Sequence, residues 1–259
     1  MANTVSRMSA RFGGHGSPMN ALEDNAFTRG WQDAARRIPK PRAILCVSAH
    51  WESRGVYVSS ATAPETIHDF YGFPQPLFDV RYPAPGDPAL AQRVTQLIKS
   101  AQVHTTDDYG LDHGAWSVLR IMYPLADIPV LQLSIDSAQP GAFHYRLGQE
   151  LGALRDEGVL ILASGNIVHN LRLFRFHDAA PADWAARADA SMRTRIESGD
   201  HAALADWRGL GADVALGIPT PEHYLPLLYA LGAQRKGDKI HIFNDTVISA
   251  ISMTSVLIG

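Results

Sequence analysis

A chain of 259 residues, 46% apolar and 19% charged, can bury a sizeable core, and one large α/β domain is its economical organisation. A net charge of −3 offers no basic surface for nucleic acid or anionic lipid, and the longest apolar run, around residues 43–49, is far too short to span a bilayer. The opening stretch MANTVSRMSARFGGHG has no apolar signal core, and the single cysteine, Cys46, can form no internal disulfide and reads as a small buried hydrophobe, so a reducing cytoplasm is expected.

Residues 1–8 are expected to be flexible. Apolar runs predict strands over 43–48 and 56–60, the first nearly all apolar and therefore central. Asp87-Pro88 opens a helix as an N-cap followed by a first-turn proline, and Leu90, Val94, Leu97, Ile98 and Ala101 supply its buried stripe. A helix over 115–122 is stopped by Pro124; a strand over 129–134, a helix over 144–157 and an apolar strand over 159–164 follow. Helices over 181–197 and 222–231 come next, and strands over 239–245 and 248–257 close the chain. This alternation predicts a single α/β domain, 1–259, whose central sheet is mostly parallel or mixed and covered by helices on both faces. Residues 61–85 break the pattern. The stretch PETIHDFYGFPQPLFDVRYPAP has no clear periodicity, and a loop of that length in a compact domain marks either function or poor order.

Eleven histidines stand against one cysteine, and five of them sit at element edges in turns marked by glycine or proline. His15 lies in RFGGHGSPMNAL, where glycines permit tight backbone conformations. His50 follows the strand 43–48 in SAHWES, His113 precedes a helix in LDHGAW, and His169 follows the strand 159–164 in SGNIVHNL. His223, in TPEHYLPLL, falls in the first turn of a helix. Ligands collect beyond the carboxyl ends of strands in open α/β sheets, and neutral imidazole is a common ligand for zinc, copper and iron. A lone histidine is more often an ordinary surface or core residue, which is the reading for His68, His104, His144, His177, His201 and His241. No HExxH pair, Cys/His ribbon, GxSxG elbow or dinucleotide fingerprint is present.

The segments GGHGSPMNAL, SAHWES, LDHGAW, SGNIVHNLR and TPEHYLPLLYALGA, in this order, resemble successive blocks of the LigB-type class III extradiol dioxygenases. Within that superfamily they resemble the DOPA 4,5-dioxygenase-like branch of bacteria and betalain-forming plants, from about Met8 to the end of the chain. The resemblance implies a 4,5-type ring opening of a small aromatic diol such as DOPA by O2 at one divalent metal ion. Fe(II) is expected for activity, with Zn(II) able to occupy the same site. By the same resemblance His15 and His50 match the first two metal-binding histidines, and His223 falls at the third. His169 matches a histidine described as base or as additional ligand, and His113 one thought to help proton transfer. Relatives that open protocatechuate carry a glutamate at the third ligand position. Here Glu222 adjoins His223 and would take its place if the alignment slipped by one.

The aromatic residues Phe70, Tyr71, Phe73 and Phe78 could cover a substrate ring or merely anchor their loop, and Asp69, Arg81, Arg172 and Arg175 could bind a substrate carboxylate or amine. Two other readings stay open: a zinc hydrolase using Glu222 or Glu52 as base, and a non-catalytic binding protein of the Memo type. No nucleic-acid or membrane partner is expected, and a homodimer is compatible with the sequence.

Overall fold

The structure, a computed structural model, describes residues 7–259. Most of the stretch expected to be flexible, 1–8, lies outside the described residues, but Met8 is buried. Its N–H donates to the carbonyl of Arg155 at 2.8 Å, and its own carbonyl accepts from Arg155 Nε at 2.6 Å.

Ten strands are described: β1 (Ala10–Gly14), β2 (Ala43–Ser53), β3 (Val56–Ser59), β4 (Val103–Thr106), β5 (Val130–Asp136), β6 (Val159–Gly165), β7 (Ile240–Phe243), β8 (Val247–Ile248), β9 (Ile251–Ser252) and β10 (Ser255–Ile258). The helices are α1 (Ala26–Arg36), α2 (Gln75–Phe78), α3 (Pro88–Leu97), α4 (His113–Met122), α5 (Gly141–Leu151), α6 (Asp183–Ser198), α7 (His201–Ala205), α8 (Ala212–Gly217) and α9 (Leu225–Gly232). Eight strands form one mixed sheet in the order β4-β3-β5-β2-β6-β1-β10-β7, while β8 and β9 make a separate hairpin. The centre, β5-β2-β6-β1, is parallel, and β10 and β7 add an antiparallel edge. The expected mixed α/β sheet is what the chain builds.

Strand pleating sends alternate residues to opposite faces. Leu45 and Val47 of β2, with Leu131, Leu133, Ile161 and Ala163, face a layer made by α3, α5 and α6 to α9. Ile44 and Cys46, with Leu160 and Leu162, face α1 and α4, whose Trp31 and Trp116 are fully buried. Both faces are therefore dry, which explains why β2, β5 and β6 read as continuous apolar runs.

Several boundaries depart from the sequence expectations. The strand expected over 43–48 runs on to Ser53, past an irregularity between Val47 and Glu52 in its pairing with β5. The helix expected from 144 starts at Gly141 after Pro140, and its tail, Gly152–Glu157, tightens into a 3-10 turn closed by left-handed Gly158. The helix expected from 222 starts at Leu225, with Pro226 in its first turn, so His223 lies in the turn ahead of the helix rather than within it. The strand expected over 248–257 splits into β9 and β10 because buried Asp189 of α6 accepts from the hydroxyls of Ser252 at 2.6 Å and Thr254 at 2.8 Å, holding a turn there. The long loop over 61–85 is tied down: Trp116 Nε1 donates to the Ile67 carbonyl at 2.8 Å, and Ile67 N–H donates to the Leu111 carbonyl at 2.7 Å.

His144, expected to be an ordinary histidine, is buried in α5 with Nδ1 3.0 Å from the Tyr229 hydroxyl. Burial pulls its pKa down from 6.5 to about 4, against a smaller opposing pull from the Gln139 carbonyl. Between those values the unfolded chain binds the proton and the folded chain does not. The stabilisation is thus complete above pH 6.5 and lost as pH falls toward 4, about 3 kcal/mol in all. Denaturant titrations of the metal-free protein at pH 7 and pH 4 should show His144→Gln losing less stability than the wild type over this interval. Equal losses would contradict the assignment.

Candidate metal centre

The site forms where the three neighbouring parallel strands β1, β6 and β2 end. His15 follows the last residue of β1, and its N–H donates to the Gly165 carbonyl at the end of β6, at 3.1 Å. Gly16 after it holds φ +59, and a Cβ there would sit 2.5 Å from Met253 Sδ, so the turn admits only glycine without distortion. His50 rises from the irregular part of β2, where residues without partners on β5 push the strand out of the ladder. His113 is the first residue of α4, whose N-cap Asp112 accepts from Ala115 N–H at 3.0 Å. His169 lies just beyond β6, its N–H donating to the Gly217 carbonyl at 2.8 Å, and His223 precedes α9.

All five histidines line one cavity of about 480 Å³. The ring centroids of His15, His50 and His223 form a nearly equilateral triangle with sides of 5.1, 5.1 and 5.4 Å. His113 lies against His50 at 3.9 Å, and His169 stacks on His223 at 3.5 Å with the planes 9° apart. The candidate ligand atoms of His15, His50 and His223 lie within 4.8 Å of one another. His169 is not in that group; its ligand atom clusters with those of Glu222 and His223.

For His15 and His223, outer partners fix which nitrogen carries the proton. Ser164 donates its hydroxyl proton to the Gly114 carbonyl at 2.5 Å, so it accepts from His15 Nδ1 at 3.0 Å. Glu222 Oε1 accepts from His223 Nδ1 at 3.0 Å, and His50 Nδ1 faces Asp69 Oδ2 at 3.4 Å. His15 and His223 therefore hold their protons on Nδ1 and leave Nε2 as a lone pair, and the Asp69 carboxylate favours the same tautomer in His50. Burial pushes all these rings toward the neutral form: His15 and His223 fall well below 6.5, and His50 falls to about 4. For His15 and His223 the neighbouring histidines add to the effect. His169 falls to about 4 for the same first reason, with Glu222 pulling it back up.

Two carboxylates that were not expected as partners of the histidines organise the site. Asp69 Oδ1 accepts from His113 N–H at 2.9 Å, and its Oδ2 lies 3.0 Å from His113 Nδ1. Burial pushes the Asp69 pKa up, but these contacts outweigh it and hold the carboxyl below its ordinary value. Asp112 is fully buried and accepts from Ser48 Oγ at 2.6 Å and from Gln132 Nε2 at 2.7 Å. The Tyr109 hydroxyl sits between Asp112 Oδ2, at 3.2 Å, and the His50 carbonyl, at 3.3 Å. The N-cap position of Asp112 in LDHGAW was a local signal for it; Asp69 was expected to meet substrate charge, and its contacts with His113 and His50 arise only through the fold.

The residues expected to meet substrate charges are engaged with the protein or lie away from the cavity. Asp69 is committed to the histidines. Arg81 donates to the carbonyls of Phe78 and Val80, and Arg175 pairs with Asp178 at 3.0 Å. Arg172 is exposed and does not line the cavity. Of the loop aromatics, Phe70 and Phe73 line the cavity, Phe78 packs on Phe70 at 5.0 Å, and Tyr71 is exposed. Neither Glu222 nor Glu52 lines the cavity.

The family described as the catalytic LigB subunit of aromatic ring-opening dioxygenase matches residues 12–254. The chain belongs to this family. It is 49% identical to the 4,5-DOPA dioxygenase extradiol of Escherichia coli (strain K12), over 98% of this chain and 95% of that protein. It is 39% identical to the protein of the same name from Beta vulgaris, over 90% of this chain and 89% of that one. A crystal structure of an uncharacterized protein from Escherichia coli K12 matches with a TM-score of 0.86 at 43% identity, covering 98% of this chain and all of that one. Membership makes the protein an extradiol ring-opening dioxygenase and sets aside the hydrolase and non-catalytic readings.

The side chains fit the divalent cation this chemistry requires. The Nε2 atoms of His15 and His50 stand 3.2 Å apart, close enough for both to turn a lone pair to one cation. Glu222 accepts from His223 Nδ1 and from Thr220 Oγ1 at 2.9 Å, the kind of carboxylate contact that orients metal-binding histidines. Competition with a chromophoric chelator should give one Zn(II) per chain, with Glu222→Gln weakening it about 10- to 100-fold. An unchanged affinity in that variant would remove Glu222 from this role.

Proposed function

We propose that the chain opens the ring of a catechol at a single divalent cation held by His15, His50 and His223, with His169 and His113 handling protons. The observation that carries this reading is the triangle of inward Nε2 lone pairs flanked on either side by one more histidine in the same cavity. Three protein ligands leave coordination positions free for substrate, unlike a closed structural site. Bound there, Fe(II) supplies a positive charge that gathers both catechol oxygens and O2 and a redox couple that Zn(II) lacks, so Fe(II) is the active ion even where Zn(II) binds well.

The protein's part is proton transfer and exclusion of water. Burial keeps His169 neutral near pH 7, ready to take a proton from an incoming catechol hydroxyl, and Glu222 beside it steadies the imidazolium that results. His113, anchored by Asp69 on the other flank, returns a proton in the later half of the reaction. Both atoms of O2 enter the product, a ring-opened muconic semialdehyde, so no external reductant is consumed. The names of the relatives from Escherichia coli and Beta vulgaris put DOPA among the catechols to be tested.

With protein reconstituted anaerobically with Fe(II), an oxygen electrode should record uptake matching the yellow product for at least one catechol of a panel that includes L-DOPA. His169→Ala or His113→Ala should lower kcat about 10²- to 10⁴-fold with iron retained. His15→Ala or His50→Ala should lose the iron. Absence of uptake with every catechol at full Fe(II) occupancy would contradict the proposal.

A further inference from the structure

We propose that the substrate of this chain is a catechol carrying an apolar alkyl or aryl substituent rather than a charged amino-acid side chain. The inference rests on the ring-opening reading and names the substrate class of the same site. Above the histidine floor the cavity wall is made by Phe70, Phe73, Phe174, Phe176, Ile251 and Met253. Among the described residues, no Asp, Glu, Lys or Arg lines it. At about 480 Å³ it falls in the range that takes drug-sized molecules, so a catechol ring seated on the histidines leaves space for a substituent. That space is hydrocarbon on nearly every side.

The cations that could have met a carboxylate are engaged or turned away. Arg175 is held by Asp178 and by the Ala180 carbonyl at 2.7 Å, and Arg81 by backbone carbonyls of its own loop. Of the acids behind the histidines, Asp69 is taken up by His50 and His113, and Glu222 by His223 and Thr220. A zwitterionic tail such as that of DOPA would meet neither countercharge, and burying an unpaired charge is strongly unfavourable. The rim adds an independent sign. Leu171 and Phe176 line the cavity yet remain 57% and 80% exposed, two large apolar side chains at the mouth that an apolar substituent would cover.

The test compares L-DOPA with 4-butylcatechol. With Fe(II)-loaded enzyme, kcat/KM for 4-butylcatechol should exceed that for L-DOPA at least tenfold, since each methylene buried on binding contributes about fourfold. Phe176→Arg, a change at an exposed position, should shrink that ratio several-fold by placing a cation at the mouth. A ratio near one, or one favouring L-DOPA, overturns the inference while leaving ring opening intact. Should neither compound be opened, calorimetric binding of both to the Zn(II)-loaded protein still decides. A tenfold preference for 4-butylcatechol supports the apolar pocket even as the ring-opening reading fails, and equal affinities overturn it.

Discussion

Three imidazole lone pairs that face one another in a desolvated cavity are the constraint on which the rest of this structure depends. Lone pairs placed close together do not attract, and burial disfavours their taking up protons. The arrangement persists because each ring is held from behind. Ser164 holds His15, Glu222 holds His223, and Asp69 faces His50. Those outer contacts do two things at once: they fix the tautomer, and they aim the free nitrogen at a common point. In the proposed site a cation completes the set, and the outer contacts have the histidines in place to receive it.

The sheet supplies the rigidity. β6 lies between β1 and β2, so the residues leaving the ends of these parallel strands emerge side by side. Buried polar groups then lock the neighbouring pieces. Asp112 draws together Ser48 of β2, Gln132 of β5 and the start of α4, which carries His113. Gly114, one residue further on, lets α4 approach so closely that a Cβ would fall 2.5 Å from Ser48 Oγ and 2.8 Å from the His50 ring. On the far side, Arg155 is wholly buried; it meets Asp238 at 2.5 Å and the carbonyls of Met8 and Ala233, joining the two ends of the described chain. Removing one partner of such a pair leaves an uncompensated buried charge, typically a loss of about 3–5 kcal/mol.

Much of this was legible in the sequence because the signals were local. The apolar runs of β2, β5 and β6, the Asp87-Pro88 start of α3 and the five histidine-bearing turns all appear without reference to the rest of the chain. What escaped depends on pairing across the fold. β1 is short and carries Arg11, a fully buried arginine lodged against the sulfur of Met122 and the ring of Phe243, which breaks the apolar pattern of a central strand. α1 is the exception, a local element outside the expected set despite a capping box in Asn25 and Thr28 and with Trp31 and Ala34 on its buried face. The excursion of β2 that lifts His50 arises only against β5. Sequence spacing also left Glu222 and His223 interchangeable, and the structure joins their side chains by a hydrogen bond, which suits the proposed ligand role of His223 with Glu222 orienting it.

The central claim is that His15, His50 and His223, and no other group in the cavity, hold the metal. Crystals of the protein loaded with one equivalent of Zn(II), measured on either side of the zinc absorption edge, address it directly. The account requires a single anomalous peak about 2.0–2.1 Å from the Nε2 atoms of those three histidines. A peak between Asp69 and His113, or between His169 and Glu222, would contradict it.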